Sequence, residues 1–555
     1  MEEEESGMVA AAAPPLPADA GGRRQLARRA GLVSAGVFAS RILGLVREQT
    51  FAVLFGAGRE LDAFVTAFRI PNLMRDLFAE GALSAAFVTT FTQRMEKDGA
   101  PAAWRVANLV VNALAVVVGL LTLVGIWFAP ALVHLIAPGF AEIPGKAELT
   151  VEMTRIMFPF LLLVALAAVA MGILNTCNVF GVPAAASAFF NLGSIVGGIG
   201  AVAWLAPGYI ASVFGGGQAP DPDAAARAIT GMAIGTLIGG LLQLLVQVPS
   251  LFRVGFRWRP ALDPGDAGLR QVLRLMGPAT VGAAAVQVNV LVNSNFASYL
   301  GDGPVSWLNV AFRFMQLPIG LFGVAVGTVA LPVVSRHRAR GDTAALARTV
   351  GQALELVALL CLPAAAGLAA FGVPIIGLVY EHGRFGPADT TFAAQALAAY
   401  AIGLAGYAGI KVLAPAFYAL DDTRVPMLVS ALSIVTNLVL NWTFVRVLGF
   451  GHVGLALSTS AVAIGNCALL YAILRRRVGP LGTRAGRAFA RIALATAVMI
   501  AAAVAVDAVV SPMLPAGATA RHALRLLVAI PVSGAVLVGV AHALGIPVVP
   551  RLRRR

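Results

Sequence analysis

Apolar stretches of 20 to 30 residues, separated by short polar turns, recur from about residue 30 to residue 546. At a rise of about 1.5 Å per residue, some 20 apolar residues in helical form cross the hydrocarbon core of a bilayer. The pattern predicts about fourteen transmembrane helices, at 30–56, 64–93, 106–137, 149–174, 180–206, 226–251, 271–300, 304–334, 348–380, 390–419, 424–447, 452–474, 488–510 and 523–546. The fold class expected is therefore an all-α polytopic membrane protein.

Composition agrees with this reading. Of 555 residues, 59% are hydrophobic and 12% charged, with a mean hydropathy of +0.83, far from the roughly 45–50% apolar and 25% charged composition of soluble domains. The net charge of +14 is not the mark of a nucleic-acid partner, because the cations follow the positive-inside rule. One set of alternate loops holds Arg94, Lys97 and Arg105, then Arg253, Arg257 and Arg259, then Arg336, Arg338 and Arg340, then Arg475 to Arg477, Arg484 and Arg487, with further arginines in 551–555. The other set carries little beyond Arg59, Lys146 and Arg384. Both termini are then cytoplasmic, as an even number of spans requires. Residues 1–29, with Glu2 to Glu5 and a Pro/Ala stretch, lack the basic-then-apolar order of a signal peptide and read as a disordered cytoplasmic tail.

Cys177, Cys361 and Cys467 are scattered, and the six histidines show no metal-ligand spacing, so no disulfide framework, metal or cofactor is expected. Phosphate-binding loops, nucleophile elbows and paired catalytic carboxylates are also lacking, which argues against an enzyme.

The chain repeats itself at an offset of about 242 to 246 residues. Arg24, Gln25, Arg28 and Gly31 recur as Arg270, Gln271, Arg274 and Gly277; Phe51, Ala52, Gly56 and Gly58 recur as Phe296, Ala297, Gly301 and Gly303. Gly81, Arg94 and Gly99 match Gly323, Arg336 and Gly341, and Val182, Pro183 and Ser187 match Val425, Pro426 and Ser430. Six helices separate each element from its copy, so the copies share one orientation and form two six-helix lobes related by a parallel repeat. The expected division is an N-lobe at 30–265, a C-lobe at 266–480, and two additional helices with a basic cytoplasmic tail at 481–555.

Four arginines, Arg41, Arg47, Arg75 and Arg313, lie within or at the ends of these apolar spans. An arginine near the bilayer centre costs about 2.5 to 3.5 kcal/mol on insertion scales, so such residues are expected to face a wet cavity. Arg47 stands about 9 Å along the helix from Arg41 and about 120° around it, which suits a broad cavity better than one narrow stripe. Glu48 is a candidate partner for an arginine, with a structural salt bridge as the alternative to a binding role. Pro71 is expected to bend the second helix; Arg69 reads as a rim charge paired with Asp62 or Asp76. The counterparts of Arg41 and Arg47 in the second copy fall at or next to Gln287 and Asn293. One lobe therefore carries most of the charge, and Arg313 would face it from the other. Arginine's planar fork suits phosphate and pyrophosphate, although charge alone does not separate these from a carboxylate.

The set Ser40-Arg41-Ile42-Leu43-Gly44 with Arg47, Gly56-Ala57-Gly58, Asp62-Ala63-Phe64, and Arg69-Ile70-Pro71-Asn72-Leu73 through Ala79-Glu80-Gly81-Ala82 resembles the MurJ (MviN) family of lipid II flippases. The resemblance continues through Val305-Ser306-Trp307, Arg313 to Pro318, Gly323 to Pro332 and Lys411-Val412-Leu413-Ala414-Pro415, and covers nearly all of 30–480. It implies the fold of the multidrug/oligosaccharidyl-lipid/polysaccharide exporter superfamily, with two six-helix lobes and two extra helices that form a groove for a long lipid tail. It also implies a multi-pass protein of the bacterial inner membrane that moves lipid II, the undecaprenyl-pyrophosphate-linked disaccharide pentapeptide, across the bilayer.

By the same resemblance Arg41, Arg47, Arg75 and Arg313 bind the substrate in a cationic cavity, and Asp62 lies near the periplasmic gate. Arg69, Glu80 and Gln316 complete the gate candidates. Where many relatives have an acidic residue shortly after the last cavity arginine, this chain has Gln316, so its cavity is expected to be more electropositive than theirs. Membrane lipids are the expected surroundings, and a monomer is the expected state. Export of another polyprenyl-linked oligosaccharide, or of a drug by the same fold, is the alternative; a cationic-drug exporter should line its cavity with acids and aromatics instead. Some relatives of the fold bind sodium in the second lobe. Here the corresponding helix offers Asn437 and Asn441, four residues apart and on one face, without an acid. Weak or absent sodium binding is expected, leaving membrane potential or another ion gradient to drive the cycle.

Overall fold

The computed structural model describes residues 20–78, 82–215, 221–481, 485–513 and 518–546, and among them there are helices and no strands. The first half of the chain forms α1 (Ala20–Phe55), α2 (Arg59–Phe78), α3 (Ala82–Lys97), α4 (Gly99–Trp127), α5 (Ala129–Ile136), α6 (Lys146–Met157), α7 (Phe160–Thr176), α8 (Gly181–Leu205), α9 (Tyr209–Phe214), α10 (Pro222–Leu245) and α11 (Val248–Arg253). The second half forms α12 (Ala267–Ser298), α13 (Pro304–Pro318), α14 (Ala325–Ala339), α15 (Thr343–Ala370), α16 (Gly372–Tyr380), α17 (Pro387–Ile402), α18 (Leu404–Tyr418), α19 (Arg424–Asn441) and α20 (Gly451–Val478). Two further helices follow, α21 (Ala485–Val510) and α22 (Ala518–Ala543).

Among the described residues ten helical stretches are long and apolar enough to cross a membrane, or eleven if α17 and α18, bent by 42° at Gly403, make one span. The expected spans at 30–56, 64–93 and 271–300 correspond to α1, to α2 with α3, and to α12, which are not among these ten. Those helices hold the arginines, carboxylates and carboxamides that face the interior, as described below. The expected disordered tail loses residues 20–29 to α1, which is helical from Ala20; residues 1–19 lie outside the described residues. Pro71 sits inside α2, which continues past it to Phe78.

The buried apolar residues form clusters that lie mostly within one half of the chain, although α12 lends Leu269 and Val272 to a first-half cluster, and Ala52, Ala137 and Phe140 join that of the second. In the first, Leu83, Phe87, Phe91, Val106 and Leu161 form one cluster and Phe51, Phe55, Phe64, Met153 and Ile229 another. In the second, Val310, Met315, Leu346, Leu397, Leu413 and Phe417 lie in a single large cluster. Glycines set a close helix contact: α8 and α10 meet so tightly that a Cβ on Gly235 would lie 2.3 Å from the Cα of Gly198. Small residues at such spacing let helix backbones approach in lipid, where dispersion and weak polar contacts replace the hydrophobic drive. The additional helices pack on the second half, with Ile492 of α21 beside Ala358 and Leu359 of α15, and Leu526 and Ala529 of α22 beside Phe371.

The α1–α2 turn at Gly56–Gly58 and the α12–α13 turn at Gly301–Gly303 lie at one end of the molecule, where the halves touch. Gly56, Gly301 and Gly303 have φ of +65°, +88° and +104°, a region costly for residues with a Cβ, which is why both turns carry glycine.

Candidate functional site

A cavity of about 740 Å³ opens between the halves, walled mainly by α1, α2 and α13 with contributions from α8, α12, α16 and α18. Its charged lining consists of Arg47, Arg69, Arg75, Arg313 and Lys411 against Glu48 and Asp76, an excess of three positive charges. Little of this charge is idle. The Glu48 carboxylate joins the halves: its Oε1 lies 3.6 Å from Arg47 Nη2 and in contact with Arg313 Nη1. The Tyr380 hydroxyl donates to its Oε2 at 3.3 Å. Arg47 also lies over the Phe190 ring, 5.0 Å from the centroid, in a cation–π contact.

Nearer the Phe78 end of α2, Arg75 donates to Asp76 Oδ1 through Nε at 3.2 Å and Nη2 at 2.9 Å, and Gln287 of α12 donates to Asp76 Oδ2 at 3.1 Å. Asp76 thus ties Arg75 to the other half. Arg69 takes neither of its expected carboxylate partners; its Nη1 donates to Ser294 Oγ on α12. The reason is geometric, since Asp76 is held by Arg75 and Asp62 is buried in a separate cluster. Gln316 lines the cavity as an exposed side chain. Arg41 does not line it: the side chain is exposed, six residues from Arg47 toward the start of α1. Glu80 lies outside the described residues.

Asp62, near the Gly56 end of α2, is not among the residues that line the cavity. Its side chain is fully buried and accepts from Ser306 N at 2.8 Å, Ser306 Oγ at 2.6 Å and Gly303 N at 2.7 Å, all across the interface between halves. Lys146, also fully buried, donates to Asp62 Oδ2 at 3.1 Å, to Asp302 Oδ1 at 2.7 Å and to the Gly301 carbonyl at 3.2 Å. The Phe140 ring lies 4.2 Å below its Nζ. Two buried opposite charges with their remaining valences hydrogen-bonded make a specific joint, one that loses heavily if either partner is removed. Lys146 escaped the sequence reading because it counted as one of a few cations in short loops. Its isolation there was the available signal.

A second space of about 310 Å³ lies mostly within the second half, lined by Asn289, Asn293, Asn437, Thr459, Tyr400 and Tyr407 among others and by Arg69 of α2, with no carboxylate among its lining residues. Asn293 Oδ1 accepts from Asn437 Nδ2 at 2.9 Å and from Asn441 Nδ2 at 2.8 Å, while Asn293 Nδ2 donates to Thr459 Oγ1 at 3.1 Å. Ser458 Oγ donates to Asn441 Oδ1. The two carboxamides singled out in the sequence therefore cross-link α19 to α12 and α20.

The cavity between the halves is thus lined by an excess of positive charge, most of it on arginine. Comparison with known proteins agrees. The family described as "Lipid II flippase MurJ" matches residues 51–526. A lipid II flippase MurJ of Burkholderia cenocepacia is 36% identical over 449 residues, covering 80% of this chain and 83% of its own. A probable lipid II flippase MurJ of Rhizobium meliloti is 36% identical over 540 residues, covering 95% and 96%. Among solved structures, a lipid II flippase MurJ in an inward closed conformation superposes with a TM-score of 0.71 at 26% identity, covering 92% of this chain and 99% of that one. An inward-facing MATE family transporter of the MOP superfamily gives 0.63 at 16% identity, a likeness of fold alone. On its sequence, its helical architecture and its cationic cavity, this chain belongs to the MurJ family of lipid II flippases, which are transporters rather than enzymes.

Proposed function

We propose that this protein moves lipid II from the cytoplasmic to the periplasmic leaflet of the bacterial inner membrane by alternating access, holding the pyrophosphate on Arg47, Arg75 and Arg313. One observation carries the reading: the single Glu48 carboxylate lies between Arg47 of one half and Arg313 of the other. An incoming pyrophosphate offers both guanidinium groups more charge and more acceptor oxygens than one carboxylate does. It would displace Glu48 and draw the two halves onto itself. Arg41, about 9 Å nearer the start of α1, would meet the anion at the mouth before it reaches Arg47.

The finer architecture supports this cycle. With α1, the α2–α3 pair and α12 counted as spans beside the eleven apolar stretches, the total reaches fourteen. Two repeated lobes, 30–265 and 266–480, would then rock about the cavity, with 481–555 added beside the second. In this arrangement both termini are cytoplasmic, and the Gly56 end is periplasmic and shut by Asp62.

The working state is a monomer in membrane lipid, and membrane potential rather than sodium would drive it. The Asn293, Asn437 and Asn441 amides satisfy one another, and no acid is present to offset a bound cation's charge. The test is rescue of cells depleted of their lipid II flippase, joined to transfer of lipid II in vesicles containing the purified chain. Failure of both, with the protein correctly inserted, would favour another polyprenyl-pyrophosphate oligosaccharide as substrate.

A further inference from the structure

The joint at Asp62 is not the only one between the halves at that end. The segment from Val379 to Phe385, at the end of α16 and before α17, is laid along the end of α1. Arg384 N donates to the Val53 carbonyl at 2.9 Å, and Gln49 Nε2 donates to the Val379 carbonyl at 2.6 Å. The Arg384 guanidinium donates to the Tyr209 hydroxyl at 3.0 Å, which itself donates to the Leu54 carbonyl at 2.8 Å. Two glycines permit the approach. A Cβ on Gly383 would lie 2.4 Å from the Val53 carbonyl oxygen, and one on Gly56 would lie 2.6 Å from that of Arg384. Main chain therefore meets main chain across the interface, without help from Asp62.

The other side of the same segment is held by the second additional helix. His522 of α22, 7% exposed, puts Nε2 3.5 Å from Glu381 Oε2. It packs so closely on α16 that a Cβ on Gly377 would lie 2.5 Å from that nitrogen. Beneath it, Leu526 and Ala529 of α22 cluster with Phe371, Ile375 and Leu378. Arg525, three residues along, pairs with Asp507 of α21 at 2.5 Å and fixes α22 against its neighbour.

We propose that α22 acts as a backstop for this strap: through His522, Glu381 and Gly377 it holds 379–385 against α1, so that the additional helix pair biases the protein toward closure at the Gly56 end. The positioning residues are His522 and Glu381, neither of which lines the cavity. Loosening them costs the closed state its strap contacts and costs the open state little, so the equilibrium between the two shifts. The inference rests on the alternating-access reading above, but its test needs no substrate.

The full chain, with Cys177→Ala, Cys361→Ala and Cys467→Ala, is placed in phospholipid nanodiscs with spin labels at Ala211→Cys and Ala388→Cys, both exposed near this end. Double electron–electron resonance then reads the open-to-closed ratio. Glu381→Ala and His522→Ala should each raise it about fivefold, the scale of one lost buried polar contact. The double variant should go no further, because both remove the same contact. His522→Gln, which keeps a donor, should return it toward the parent value, and Gly377→Ala, which pushes the imidazole away, should raise it. An unchanged ratio in folded Glu381→Ala and Gly377→Ala, or additive effects in the double variant, overturns the proposal. Loss of rescue activity by the unsubstituted chain would instead count against the flippase reading and leave these distances standing.

Discussion

Asp62→Asn isolates the main joint between the halves. The carboxylate accepts three hydrogen bonds from the second half and one from Lys146. Asparagine keeps one acceptor oxygen and turns the other into an NH2 group. If the oxygen stays on Ser306, the new donor faces two others, Gly303 N and Lys146 Nζ. Hydrogen bonds to a charged group contribute about 1.5 to 3 kcal/mol each, and breaking a buried ion pair from one side costs about 3 to 5 kcal/mol. Lys146 retains Asp302 and the Gly301 carbonyl, so a net loss of about 3 kcal/mol is reasonable. Because Gly303 and Ser306 belong to the other half, that loss falls on the closed state, and the open-to-closed ratio should rise by about two orders of magnitude.

Ser306→Ala removes only the hydroxyl, leaving both backbone donors, and at about 1.5 to 3 kcal/mol for one bond to a charged group should shift the ratio about tenfold to a hundredfold, no further than Asp62→Asn. Labelling of single cysteines introduced beside the two glycine turns, in membranes with and without substrate, reads the ratio. Equal labelling of the parent and Asp62→Asn, at matched expression and thermal stability, would refute the reasoning, as would a larger effect from Ser306→Ala.

In the cavity, Arg47→Ala and Arg313→Ala should abolish rescue at normal membrane levels while lysine at either place is partly tolerated, and full rescue by the double alanine variant would disprove pyrophosphate binding there. Transport in sealed vesicles under an imposed potential should proceed without a sodium gradient; a strict sodium requirement that vanishes in Asn441→Ala would reveal a cation site. Gly235→Ala should destabilise the protein by about 1 to 3 kcal/mol, seen as a lower midpoint of thermal unfolding in detergent, because its Cβ has no room against Gly198. In the turn after α18, N–H donation from Val425, together with Arg477 and Arg424 N, lowers the Asp422 carboxyl below its ordinary range. Its contribution to stability is present above the unfolded carboxylate pKa and lost as pH falls through the lower folded one, so Asp422→Ala should flatten the acid side of the stability profile.

The all-helical, membrane-spanning character and the family were legible along the chain because they depend on local quantities: the length of an apolar run and the order of motif residues. Asn437 and Asn441 could be placed on one helix face for the same reason. Contacts between residues far apart in sequence were not legible. Nothing local says that Arg69 meets Ser294 rather than a carboxylate, or that Lys146, read as a loop charge, is buried against Asp62, 84 residues away. Arg41 and Arg47 share a helix and a residue type, yet only Arg47 lines the cavity. Helical periodicity gives the angle between two side chains but not where the neighbouring helices leave space. The tertiary fold decided these points by bringing α1, α2, α12 and α13 together, where burial makes each polar group take the partner within reach.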